Sequence, residues 1–338
     1  MVPWVRSVSR APGDVGLPSA PMSRHRVRYL LSLTVAIAAC ASLLATGATA
    51  GPAPAPPGGD LLPDLDQQIP SGLMISLASA HGPARYVLGF QSAVRNIGDG
   101  PFIIAGSRPN RRTPLMRATQ LIDRADGTQH AVQVAARLRY AISPDHQHWH
   151  LLHFDRYELR HAGRGGVLVR DQKTGFCLGD RYRVVGHDVP AALAQPTYTD
   201  RCGLTEPWLL RVREGISPGY GDNYLPYLEG QSLPLTGLPA GRYVLTHRTN
   251  SDRTLRESNY ANDAASVLLD LRWQHSQPEM TVVRTCPDTA RCDKLPAGAG
   301  AARARPVPRG TISALWDRGS HPGANWALCG LTGLTSKQ

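Results

Sequence analysis

Three histidines at alternate positions, His146, His148 and His150, stand in the stretch SPDHQHWHLLHFDRYELR, residues 143–160. Core packing alone has no use for three imidazoles in that rhythm. On an extended segment successive side chains point to opposite faces, so these three share one face, neighbours about 6–7 Å apart at the backbone. Their ring nitrogens can meet on one metal ion at about 2 Å if the strand end bends to swing them together. Three neutral imidazoles suit copper, zinc, iron or nickel, and copper binds nitrogen ligands most tightly of the divalent series. The opposite face carries Gln147, Trp149 and Leu151, which suits packing. The competing reading is a polar strand face turned to solvent. His153 falls on the other face, and His81, His130, His161, His187, His247, His275 and His321 are scattered.

The elements that must hold such a cluster read as strands. YVLGFQSAVRN alternates Tyr86, Leu88, Phe90 and Ser92 against Val87 and Gln91, and TQLIDRADGTQHAVQV carries a hairpin signal at Asp126-Gly127. DRYELRHAGRGGVLVRD has Gly163, Gly165 and Gly166 at a second tip; LPAGRYVLTHRTN and ASVLLDLRW are two further strands. Turn signals recur every ten or so residues and no long segment has helical periodicity, the pattern of an antiparallel, Ig-like β-sandwich with long loops. A disordered Pro/Gly-rich linker, GPAPAPPGGD onward (51–74), precedes it, and a basic extension (276–338) follows.

The first fifty residues read as a secretory signal. A basic head (Arg24, Arg26, Arg28) leads an apolar run that ends at Ala48-Thr49-Ala50, with Met22 as the better start. Lipid attachment at Cys40 is the alternative, and no stable membrane span is expected because the run is short. Cleavage removes five arginines and one aspartate and takes the formal charge from +11 to +7. No arginine-rich helix or aromatic-interleaved patch points to nucleic acid. Five cysteines remain, and an exported chain is expected to pair them: Cys286 with Cys292, Cys177 with Cys202, Cys329 left over.

DHQHWHLLHFDRYELR resembles the copper-binding motif of the lysyl oxidase family. Three other stretches are similar to blocks of that family in the same order: LGFQSAVRNIGDGPF (88–102), KTGFCLGD (173–180), and GISPGYGDNY (215–224) with LPAGRYVLTHRTNSDRTLRESNYAND (238–263). The likeness runs from about residue 75 to 275 and implies a catalytic β domain there, in a secreted member of the bacterial type. It implies Cu2+ on His146, His148 and His150, and a lysine tyrosylquinone made from Lys173 and Tyr224. Tyr220 and Tyr227 are near neighbours of Tyr224, and Lys173 is one of only three lysines, with Lys294 and Lys337, in a chain whose positive charge is nearly all arginine.

A lysine amine must be neutral to add to a quinone ring, so its site should be partly buried. The implied reaction is oxidative deamination of a primary amine, free or peptidyl lysine, by molecular oxygen, giving aldehyde, ammonia and hydrogen peroxide. Asp155 and His153 follow the metal strand and are candidates for the proton-abstracting base, though acids beside a metal as often orient the histidines. The alternative is a non-catalytic secreted sandwich that binds copper or serves adhesion.

Overall fold

The computed structural model describes residues 59–78, 83–143, 146–164, 166–170, 175–226, 228, 230–296 and 304–310. Among these residues every regular element is a strand. The first half of the chain gives β1 (Asp60–Leu61), β2 (Leu65–Gln67), β3 (Ser71–Leu77), β4 (Tyr86–Asn96), β5 (Phe102–Ser107), β6 (Leu115–Arg124) and β7 (Gln129–Tyr140). The site region gives β8 (Trp149–Leu151), β9 (Asp155–His161), β10 (Val169–Arg170), β11 (Tyr182–Arg183), β12 (Arg211–Ile216) and β13 (Tyr220–Tyr224). Then come β14 (Ser232–Pro234), β15 (Gly241–Thr249), β16 (Ala264–Gln274), β17 (Gln277–Cys286), β18 (Arg305–Pro306) and β19 (Arg309–Gly310).

The strands form three sheets rather than the two of an Ig-like sandwich. One runs β12-β5-β6-β7-β8 with β1 on β6; a second runs β10-β9-β15-β16-β17-β18; the third runs β11-β13-β4-β3-β19, with β2 and β14 also on β4. All pairings are antiparallel except β19 with β3. The long strand β4 makes the third sheet possible, because its successive segments pair with β13, β2, β3 and β14.

The expected alternation is present where it was strongest. Leu88, Phe90, Ser92 and Val94 of β4 are buried, as are Met116, Ala118 and Ile122 of β6. The β6–β7 turn closes at Asp126-Gly127, where Gly127 has φ 80° and Asp126 accepts from Thr128 N at 2.9 Å. The core lies between the sheets: Phe90 meets Tyr157 edge-on at 4.8 Å, and Leu245, Val267, Leu269 and Leu271 are fully buried around them. Each such side chain contributes about 1.5–3 kcal/mol on leaving water.

Two boundaries differ from the sequence reading. Residues 60–74 of the expected linker form β1, β2 and the start of β3; Leu65 is fully buried, and its N–H donates to Glu257 Oε2 at 3.0 Å. The prolines there had masked a few well-placed apolar residues. At the other end β17 pairs along most of β16, burying Met280 and Val282. The two strands are joined by His275 and Ser276 alone, both at positive φ (47° and 63°). That is the geometry of a two-residue hairpin without the usual Asn-Gly signature. Residues 1–58, most of the linker's proline run, Cys40, Cys329 and most of the extension lie outside the described residues.

Candidate metal centre and active site

The connection from β7 to β8 bends as the histidines require. Ser143 and His146 exchange backbone hydrogen bonds (2.8 and 3.2 Å), and Ala141 N donates to His148 O at 2.9 Å. Only His150 lies within a strand; His146 and His148 stand on the turn that leads into it. All three are buried, and one ring nitrogen from each lies within 4.8 Å of the others. His148 Nε2 is 2.8 Å from His150 Nε2 and 3.4 Å from His146 Nδ1. Two nitrogens each at 2.0–2.1 Å from one ion, at angles between square and tetrahedral, are about 2.8–3.4 Å apart. The donor set therefore fits a single transition-metal ion.

Trp149, on the opposite face, anchors the turn. It is fully buried, its indole N–H donates to Glu206 O at 3.2 Å, and the Arg108 guanidinium lies 4.6 Å over its ring. Arg108 in turn donates to Leu209 O (2.7 Å), Thr113 O (3.0 Å) and Pro207 O (2.5 Å). Nothing in the sequence singled this arginine out.

The backbone on either side of His150 is tied to one disulfide. Trp149 N donates to Cys202 O at 2.9 Å, and Leu151 exchanges two hydrogen bonds with Phe176 (2.8 and 3.0 Å). Cys202 and Cys177, next to Phe176, are joined, as are Cys286 and Cys292, both as expected. Gly175 completes the approach: a Cβ there would stand 2.7 Å from Leu151 O and 2.8 Å from His150 Cβ, so only glycine lets these strands meet. A second grouping of metal-ligating residue types, Cys177, Cys202 and Glu214, offers no thiolate because both sulfurs are in the disulfide.

Phe176 carries the connection on to Tyr224, whose ring it meets edge-on at 4.8 Å. The Tyr224 hydroxyl has two acceptors in reach among the described residues, Cys177 O at 2.9 Å and Asp222 Oδ2 at 3.1 Å. Burial, with the Asp222 carboxylate adding to it, pushes the Tyr224 hydroxyl well above the usual phenol range. Burial likewise lifts Asp222 to about 7, against the pull of Arg181, whose Nε is 4.0 Å away. Asp222 was missed at the sequence level, although its place two residues before Tyr224 on one strand puts both on the same face. Glu214, fully buried and accepting from Leu178 N at 3.1 Å, is pushed well above the carboxylate range by burial.

Of the two candidate bases, Asp155 is buried and accepts from Ser92 Oγ at 2.8 Å, whereas His153 is exposed on a turn at φ 62°. Lys173 and Tyr227 lie outside the described residues; Tyr220 packs under Arg183, 5.8 Å from its guanidinium. His247, given little weight above, is a core residue at 4.6 Å from Phe90 and 4.4 Å from Tyr157, its imidazole held neutral by burial.

Comparison with known proteins agrees with this geometry. The lysyl oxidase family model matches residues 106–286, which include the histidine turn, both cysteines of the brace and Tyr224. The chain is 25% identical over 132 residues to protein-lysine 6-oxidase of Rattus norvegicus, covering 39% of this chain and 28% of that protein. It is 27% identical over 129 residues to the protein of the same name from Homo sapiens (38% and 27% covered), and 27% identical over 119 residues to human lysyl oxidase homolog 1 (35% and 18% covered). The chain thus spans between 18% and 28% of the length of these relatives. With more than half its length under the family model and the histidine cluster assembled, the chain belongs to the lysyl oxidase family.

Proposed function

We propose that the protein is a secreted amine oxidase dependent on copper and a self-made quinone, converting a primary amine, water and dioxygen to an aldehyde, ammonia and hydrogen peroxide. The observation that carries this is the short path from the histidine cluster to Tyr224 through the Leu151–Phe176 bridge and the Phe176 ring. His146, His148 and His150 would hold Cu2+, and Lys173 and Tyr224 would supply the cross-linked lysine tyrosylquinone. Gly175, which packs on His150, is two residues along the chain from Lys173. Bound copper supplies one-electron redox chemistry with oxygen, and the quinone supplies the electron sink that amino-acid side chains lack.

The remaining residues have positioning roles. Phe176 fixes the plane of Tyr224, and Cys177 O orients its hydroxyl. Asp155, at the start of β9, accepts from Ser92, which pairs with Tyr224 across β4 and β13. The printed names of the relatives, protein-lysine 6-oxidase, favour a peptidyl-lysine substrate. Two disulfides and a basic head with an apolar run at the N-terminus support export.

The test is mass spectrometry of digested, copper-loaded, aerated protein. A covalent link between the peptides holding Lys173 and Tyr224, with amine-dependent peroxide release, is the expected result. Metal bound at one ion per chain with the two peptides unlinked would instead make this a copper-binding protein without turnover.

A further inference from the structure

We propose that Asp222 takes the hydroxyl proton of Tyr224, making this carboxylate the base that prepares the ring for oxidation. The inference deepens the quinone reading above and rests on Tyr224 as its precursor. The argument begins with where the proton can go. Of the two acceptors in reach among the described residues, Cys177 O is an amide carbonyl, which orients a donor but cannot keep a proton in neutral water. Asp222 Oδ2, at 3.1 Å, can.

The surroundings make this transfer the economical one. Loss of the Tyr224 proton to solvent would leave a second negative charge beside Asp222 in a partly buried site, and burial together with that carboxylate holds the hydroxyl well above the phenol range. A proton passed to Asp222 moves the charge instead of adding one. The Tyr224 O–H bond breaks with its electron pair left on the phenol oxygen, and a new O–H bond forms at Asp222. A phenolate yields electrons to copper and oxygen far more readily than a phenol does.

The other titratable groups around the pair leave Asp222 as the acceptor. Glu214 on β12 is pushed well above the carboxylate range by burial, and its Oε2 accepts from Leu178 N at 3.1 Å. Tyr182 on β11 is raised by burial and by Asp222 itself, and stays a phenol; Tyr157 on β9 is a phenol that accepts from Gln231 at 3.0 Å. Arg181 Nε, 4.0 Å from Oδ1, and the Gly179 N–H, 3.2 Å from Oδ2, favour the carboxylate that must be present before transfer. With Asp222 titrating at about 7, the acceptor is available from neutral pH upward.

The test has an arm that needs no metal. In metal-free protein labelled at the tyrosine Cζ carbon, the Tyr224 resonance (assigned with Tyr224→Phe) should shift through an inflection near pH 7 as Asp222 ionises. Asp222→Asn should abolish that inflection, and Asp222→Glu should restore one. In copper-loaded, aerated protein, the Lys173–Tyr224 link should form about 100-fold more slowly in Asp222→Asn, and regain speed in Asp222→Glu. Circular dichroism and one metal per chain show that each variant is folded.

An inflection that persists in folded Asp222→Asn, or a link made at the wild-type rate, overturns the proposal. Wild-type protein that shows the inflection but never links supports the acid–base pair while removing the quinone reading itself.

Discussion

At the scale of single residues the site depends on a few close approaches. His148 is the shared neighbour of the other two imidazoles, 2.8 Å from one and 3.4 Å from the other. His148→Ala should therefore lower copper affinity at least about 100-fold and leave the melting temperature of the metal-free protein within a few degrees; titration calorimetry and thermal denaturation measure the two. Gly175→Ala forces a methyl against Leu151 O and His150 Cβ. It should cost about 1–3 kcal/mol in urea denaturation and weaken metal binding about tenfold by turning His150. The histidine cluster was legible from three letters because alternate positions share a face on an extended chain, although only His150 lies in a strand and the turn before it gathers the other two. Asp222, Arg108 and Gly175 were not, since what defines each is a contact with a residue distant in sequence or, for Asp222, a burial that a polar letter does not announce.

At the scale of elements the short strand β8 has little stability of its own and is held through its partners. Its outer backbone groups are bonded to Cys202 and Phe176, and the disulfide beside them closes the loop. Replacing both Cys177 and Cys202 with serine should remove about 3 kcal/mol, the constraint expected for a loop of this length, and reduce copper affinity with it. A variant that lost stability but bound copper as before would separate the brace from the metal centre. Arg160 and Asp293 join two elements in the same manner, with contacts of 2.5 and 3.1 Å and Gly163 N donating to Asp293 at 2.7 Å. The Arg160 hydrogen bonds hold the Asp293 carboxyl well below the usual carboxylate range. Its contribution is full above the unfolded carboxylate pKa near 4 and is lost as pH falls through the folded value. Asp293→Asn should cost about 3 kcal/mol at pH 7, and the gap from wild type should close toward pH 2 in urea titrations. Strand pairs announced by Asp-Gly were readable in advance. The β16–β17 hairpin was not, because His275-Ser276 carries the required backbone without the customary residues.

At the scale of the whole molecule the fold buries several acids. Burial lifts Glu257 to about 8, Asp263 and Asp222 to about 7, and raises Glu214 well above the carboxylate range. Folded values above the unfolded ones mean that the native state holds protons the unfolded chain has released. Their contribution is complete below pH 4 and is lost as pH rises through 7 to 8. Metal-free protein should accordingly unfold at lower urea between pH 6 and pH 9, and Glu257→Gln should flatten that slope. The all-β class was legible from alternation and turns between about residues 75 and 275, whereas the three-sheet arrangement depends on β4 pairing with four partners, a matter of register that no local pattern records. The Cys177–Cys202 bond has a further implication for how the molecule matures. A chain kept in a reducing compartment would display the same imidazoles on an untied loop, able to scavenge ions loosely but not to cage one. Passage into oxidising surroundings would then act as the latch that turns a sticky peptide into a defined centre.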